Sequence, residues 1–354
     1  MASNAPIKVP HNRLTFGEEE VQAVSTVIRS GYWAGGPVLK TLEDALCKCA
    51  GVSHAVGVSS GLSGLRLALQ SMDVSEGDEV IVPAYSCVAL ANAPLALGAT
   101  PVPADVRTDD WNLDPESVRS CVTKNTKAII VVNMFGAPGP IEELRDLGIP
   151  IIEDCAHAFG ADAVGSPLGS RGDAAVLSFY ATKLIGAGMG GAVLTNDDAI
   201  ASTVRSYRGY NDEPMNQLRH NDTMTDSEAA LTLCQLDRLQ QMIEARKNIA
   251  TRYDQAFKSL AEESGKFSLP SITADRIWYR YCVEMNSAKG EEVITALRQH
   301  GIHAERPVED WREGDAQKLE NASHAYEKLV SLPCYPTLTE EEQTLVCEAF
   351  KEVI

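Results

Sequence analysis

The chain of 354 residues contains no run approaching the ~20 consecutive apolar residues that a membrane-spanning helix needs, so no membrane role is expected. Positive charge is also scarce. The 31 Lys and Arg stand against 49 Asp and Glu, a net charge of −18, and such a chain repels a phosphate backbone, so no nucleic-acid partner is expected. The start, MASNAPIKVPHNRL, lacks the basic-then-apolar order of a secretory signal, which makes the cytoplasm the expected compartment. Thiols stay reduced there, and the nine cysteines are odd in number and scattered, a usage that fits small buried hydrophobes better than disulfide staples. Cys47 and Cys49, the only close pair, sit two apart in a helical-looking stretch where side chains at i and i+2 diverge, so no metal site is expected. Internal repeats and low-complexity tracts are lacking too. No G-x-G-x-x-G follows the early strand-like runs, which argues against a Rossmann-type dehydrogenase.

What is present is an alternation. Short β-branched runs (AVGVSS, DEVIVPA, TPVPADV, KAIIVVN, IPIIED, AAVLSFY, GAVLTN) are separated by stretches with helical periodicity, such as residues 62–72 and 88–97. Seven strand candidates in this pattern predict an α/β fold whose large domain holds a mostly parallel sheet flanked by helices. A long helical stretch over 226–257, with Ala230, Leu233, Leu236, Leu239 and Ile243 on one face, bridges to a smaller C-terminal α+β domain. There RIWYRYCVEM reads as a strand and EEVITALRQHGI as a helix ended by Gly301. The expected division is 1–240 and 241–354.

In open parallel sheets a ligand lies beyond the carboxyl ends of the strands, so the residues just past each strand are the candidates for chemistry. Ser60, Gly61 and Leu62 leave AVGVSS and open a helix, whose N–H groups and partial positive charge suit a phosphate. Asp154 ends the apolar run Pro150–Ile152, where it is either a cap for the next segment or the partner of a ring N–H. Ser178 and Lys183 follow AAVL and precede a glycine-dense loop, where a lysine can be desolvated as a Schiff-base amine requires.

The ordered set of GPVLKTLEDALCKCAGVSHAVGVSSG, GDEVIVPAYSCVALANAPLALGATPVPADV, IIEDCAHAFGA, LSFYATKLIGAGMGGAVLTND, EAALTLCQLDRL and SLPCYPTLTEEE spans nearly the whole chain. It resembles the DegT/StrS family of pyridoxal phosphate (PLP)-dependent sugar aminotransferases, in the fold of aspartate aminotransferase. The resemblance implies that Lys183 binds PLP as a Schiff base and moves the α-proton. It matches Asp154 to the pyridinium partner, His157 to a position beside the PLP hydroxyl, and Gly61, Leu62 and Ser178 to the phosphate cradle. It further implies a homodimer with the active site shared between subunits, Asn221 reaching the neighbour's phosphate site. The implied reaction moves an amino group from an amino acid, L-glutamate, to a keto sugar, most simply a nucleotide-linked keto-deoxysugar. A cyclitol or other non-nucleotide ketone is the alternative acceptor. A PLP-dependent sugar dehydratase, in which histidine replaces the lysine, and a non-catalytic relative both fit Lys183 less well.

Three departures stand out. Where relatives stack an aromatic ring on PLP, this chain places Cys87, with Tyr85 two residues earlier, and extended-chain alternation puts both on one side. The arginine expected two residues after the asparagine is Thr223. The chain is also short for the family. Arg219, Arg280, His303 and Arg306 are candidate contacts for the acceptor.

Overall fold

The computed structural model describes residues 6–163, 165–210, 218–271 and 276–354. In chain order the strands are β1 (His54–Val58), β2 (Glu79–Pro83), β3 (Thr100–Ala104), β4 (Thr126–Val132), β5 (Ile151–Asp154), β6 (Asp162–Ala163), β7 (Ser166–Pro167), β8 (Ala174–Ser178), β9 (Gly191–Thr195), β10 (Phe267–Ser268), β11 (Tyr281–Met285) and β12 (Leu329–Leu332). The seven runs read from the sequence form one sheet in the order β1-β9-β8-β5-β4-β2-β3, while β6 and β7 make a separate small pair. Neighbours run parallel except β9, which is antiparallel to both β1 and β8. The carboxyl ends of β1, β2, β4, β5 and β8 therefore meet the start of β9 along one edge.

The central strands are buried on both faces, as all-apolar runs in a parallel sheet must be. Ile152 packs into the larger core with Val176 and Leu177, and Ile151 into a smaller cluster on the other face with Ile129 and Ile141. The helix Gly61–Ser71 covers the sheet with Leu65, Ala68 and Leu69, and Ser60 caps it by accepting a hydrogen bond from the Ser63 N–H at 3.0 Å.

The helical stretch over 226–257 is in fact two helices, Asp226–Asp237 and Leu239–Ser264, broken at Arg238. A tertiary anchor holds the break: the Arg238 guanidinium pairs with Glu20 and donates to the Thr15 carbonyl at 3.2 Å. At the start of the first helix, the buried Asp226 carboxylate accepts from the N–H groups of Gly36, Val38 and Leu39, which fixes the helix Pro37–Ala50.

Beyond the second helix, β10, β11 and β12 form an antiparallel sheet. It packs with the helices Gly290–Gln299 and Glu340–Val353 around a second core of Tyr253, Phe257, Phe267, Tyr281 and Phe350. Val9 belongs to this core and bridges to Ile302, so the beginning of the chain joins its end. A division into 1–240 and 241–354 remains our proposal for the domains.

Of RIWYRYCVEM, only Tyr281–Met285 is strand. The preceding backbone finds other partners: Ile277 N–H donates to the Gly136 carbonyl at 3.0 Å, and the Tyr279 carbonyl accepts from Arg246 at 2.9 Å. Gly136 has φ +93°, and a Cβ there would sit 1.4 Å from the Ile277 carbonyl oxygen. Gly136→Ala should therefore combine left-handed strain with a backbone clash and cost about 3–5 kcal/mol, read as a lowered denaturant midpoint.

Candidate active site

The carboxyl edge of the sheet opens into a cavity of about 680 Å³. Ser60, Gly61 and Leu62 line it from beyond β1, Ser86, Cys87 and Val88 from beyond β2, and Met134 from beyond β4. Asp154, Ala156 and His157 come from β5, and Ser178, Tyr180, Thr182 and Lys183 from β8. Tyr279, Arg280 and the segment 307–311 close it from the C-terminal part.

At one end lies the start of the helix Gly61–Ser71, where leading N–H groups and the helix dipole favour an anion. A Cβ on Gly61 would lie 2.9 Å from Ser178 Cβ and 3.2 Å from its Oγ, so glycine is what lets the serine hydroxyl sit against the helix start.

Alternation along β5 sorts its two acids. Glu153 points away from the cavity, where its carboxylate accepts from the N–H groups of Gly169 and Arg171 at 3.0 Å each and from Asn133 Nδ2 at 3.0 Å. Asp154 lines the cavity, 6% exposed, with the Ala156 N–H donating to its Oδ1 at 2.8 Å. Burial pushes its carboxyl above the ordinary range, and the Ala156 N–H and the Lys183 charge only partly offset that. The loop cap and the cavity acid, alternatives in the sequence, are one residue.

Lys183 sits in a loop tied down by Lys183 N–H to the Tyr180 carbonyl at 2.8 Å and by Ala187 N–H to the Phe179 carbonyl at 2.9 Å. Its Nζ lies 5.3 Å from the ring centre of Tyr279. Tyr279 stacks on His157 with centroids 4.1 Å apart and planes within 14°. Burial alone would raise the Tyr279 phenol, but Lys183, Arg280 and a hydrogen bond with Thr182 outweigh it and lower its pKa. His157 is pushed well below its usual value by burial first and then by Lys183 and Arg280, which keeps the ring neutral at pH 7. Its Nδ1 is buried with no hydrogen-bond partner among the described residues, a cost of about 1–3 kcal/mol that a polar ligand atom would remove.

Tyr85 requires a correction. The chain bends immediately after β2, so the alternation that put Tyr85 and Cys87 on one side does not hold. Cys87 is exposed in the cavity. Tyr85 is fully buried outside it, against Tyr326 (ring centroids 4.8 Å), Phe135 (6.1 Å) and Trp111 (6.3 Å), with its hydroxyl unpartnered among the described residues. Tyr85→Phe should thus leave cofactor absorbance and turnover within about twofold of wild type, with an unchanged or slightly higher Tm, because it removes an unsatisfied buried hydroxyl.

Asn221 is exposed and does not line this cavity. Its segment passes the sheet edge, where Thr223 bridges Val58 and Ser59 N–H donates to the Asp222 carbonyl at 2.6 Å. Of the four acceptor-contact candidates, Arg280 alone lines the cavity; Arg219 bonds to Ser206, Arg306 pairs with Glu291 at 3.4 Å, and His303 with Glu305 at 3.5 Å. The sequence reading missed Tyr279, Ser86 and Trp311. Tyr279 lay inside an aromatic run that reads as core, and nothing in the pattern marked the other two.

An amine and a buried acid facing one cavity, a helix start beside a serine, and a histidine nitrogen with no partner among the described residues are what a phosphate-bearing carbonyl cofactor held on a lysine would require. These residues fit PLP. Residues 15–351 match the DegT/DnrJ/EryC1/StrS aminotransferase family, and the chain belongs to it: it is a PLP-dependent aminotransferase. Among solved structures it is similar to S. venezuelae DesV in complex with a ketimine intermediate, at 30% identity over 98% of each chain with a TM-score of 0.90. It is also similar to a putative sugar aminotransferase from Streptococcus pneumoniae (25% identity, 98% of this chain and 99% of that one, TM-score 0.91). A third is Helicobacter pylori PseC, an aminotransferase involved in pseudoaminic acid biosynthesis (26%, 98% of each, 0.89). No helix among the described residues is long and apolar enough to cross a membrane.

Proposed function

We propose that this enzyme transfers the amino group of L-glutamate to a keto sugar, specifically a nucleotide-linked keto-deoxysugar, in a site shared by two copies of the chain. The observation that supports this most directly is the meeting of Lys183, Asp154 and the Gly61/Ser178 cradle in one cavity. The cavity of about 680 Å³ is of the size that takes a small-molecule cofactor and substrate. The Streptococcus pneumoniae neighbour, described as a putative sugar aminotransferase, favours a sugar as the acceptor.

PLP, when bound, supplies a protonated ring that stores the electron pair released when the α-proton is lost. Ser178 and the helix start at Gly61 would hold the phosphate. Asp154 would accept the ring N–H and keep it protonated. His157 would offer Nδ1 to the ring hydroxyl. Lys183 would hold the cofactor, and its amine would carry the proton from the donor's α-carbon as base and then acid. Asn221 of a second copy would complete the phosphate site.

The test is an absorbance spectrum from 300 to 500 nm with PLP, then L-glutamate, followed by a panel of nucleotide-linked keto sugars and inososes. Bleaching of the visible band by glutamate, with release of 2-oxoglutarate, and its return on adding a nucleotide-linked keto sugar support the proposal. Return with an inosose alone would replace it by the cyclitol reading, and a protein that never takes up PLP would sink it.

A further inference from the structure

An amino acid donor brings a carboxylate into a cavity whose remaining walls are mostly apolar. Lys183 is committed to the cofactor and the proton. Among the described residues that line the cavity, the one other permanent cation is Arg280. Its guanidinium carbon lies 5.6 Å from the centre of the Tyr279 ring, the same ring that Lys183 Nζ approaches to 5.3 Å. Both charges thus lie within 5.6 Å of the centre of one ring in the cavity wall.

The arginine is held in a particular way. Its Nη1 reaches His11 Nε2 at 3.1 Å and Ser331 Oγ at 3.3 Å, and Glu305 stands off at 3.7 Å. Glu305 is itself shared with His11 Nδ1 at 3.1 Å and His303 Nε2 at 3.5 Å. Among the described residues no carboxylate hydrogen-bonds Arg280, and its Nε and Nη2 have no protein partner, which leaves one edge of the fork free for a planar anion. His11 is buried, donates from Nδ1 to Glu305, and so presents Nε2 as an acceptor that orients Nη1.

We infer that Arg280 binds the α-carboxylate of the amino donor and thereby sets the geometry in which Lys183 meets the α-hydrogen. This rests on the aminotransferase reading but not on the identity of the acceptor.

The donor half-reaction tests this without any sugar. The PLP-loaded enzyme is mixed with L-glutamate, L-alanine or L-alaninol, the last carrying a hydroxymethyl group in place of the carboxylate, and the rate of cofactor bleaching is followed. Arg280→Gln should lower the rate per molar L-glutamate and L-alanine by on the order of 100-fold, leave L-alaninol within about threefold, and keep the cofactor spectrum of wild type. Arg280→Lys should recover part of the loss with the two amino acids. Equal loss with all three amines would mean a structural role, and loss with L-glutamate but not L-alanine would assign Arg280 to the side-chain carboxylate; either overturns the inference. No loss with any amine also overturns it. A wild type that no amine bleaches would remove the aminotransferase reading itself, which separates the two failures.

Discussion

Lys183→Ala is expected to reduce turnover by roughly 10⁴-fold or more, because one side chain both holds the cofactor and moves the proton. The loss should be chemical, not conformational. Lys183 is half-buried at the cavity wall, and among the described residues its loop is held by backbone hydrogen bonds that the substitution keeps, so Tm should change little. Borohydride treatment should attach cofactor covalently to the wild type and leave the variant unlabelled. Lys183→Arg should be equally inactive, since a guanidinium keeps the charge but cannot serve as a base near neutral pH. Substantial activity in either variant would assign the chemistry elsewhere.

Asp154→Asn should lower kcat by about 10²–10³-fold, the scale on which removing one preorganised electrostatic partner acts. Asparagine keeps an oxygen for the Ala156 N–H, so the turn after β5 survives and cofactor binding should be partly retained. What disappears is the negative charge that keeps the ring nitrogen protonated. Stability should move the other way. Burial raises the Asp154 pKa in the folded cofactor-free protein, so the folded state holds its proton longer than the unfolded chain does. That penalty sets in as pH rises from the ordinary carboxylate range through the raised value. The cofactor-free Asn variant should therefore melt at or above the wild-type temperature at pH 7, and no higher near pH 3. A lower Tm together with lost activity would mean that Asp154 is structural.

Much of this was legible in the residues. The seven β-branched runs became the seven strands because short apolar segments buried on both faces carry a strong signal, and the loops after β1, β5 and β8 carried the residues that line the cavity. The failures have physical causes. Periodicity carried the helix through Arg238 because its anchor, Glu20, is more than two hundred residues away. It extended β11 back to Arg276 because the partners of that backbone, Gly136 and Arg246, lie elsewhere in the chain. It put Tyr85 beside Cys87 because a bend after a strand leaves no mark in alternation, while an aromatic cage takes the buried ring.

The sequence by itself determined the class of fold, the succession of its strands along the chain and Lys183, Asp154 and the Gly61 turn as candidates for its chemistry, since these depend on local pattern and residue type. Tertiary structure decided which side chains share the cavity. It turned Asp154 inward and Glu153 outward, removed Tyr85, and brought Tyr279 and Arg280 from the C-terminal part to face Lys183. Those outcomes depend on contacts between residues from fewer than twenty to more than two hundred positions apart, and no local pattern encodes such contacts.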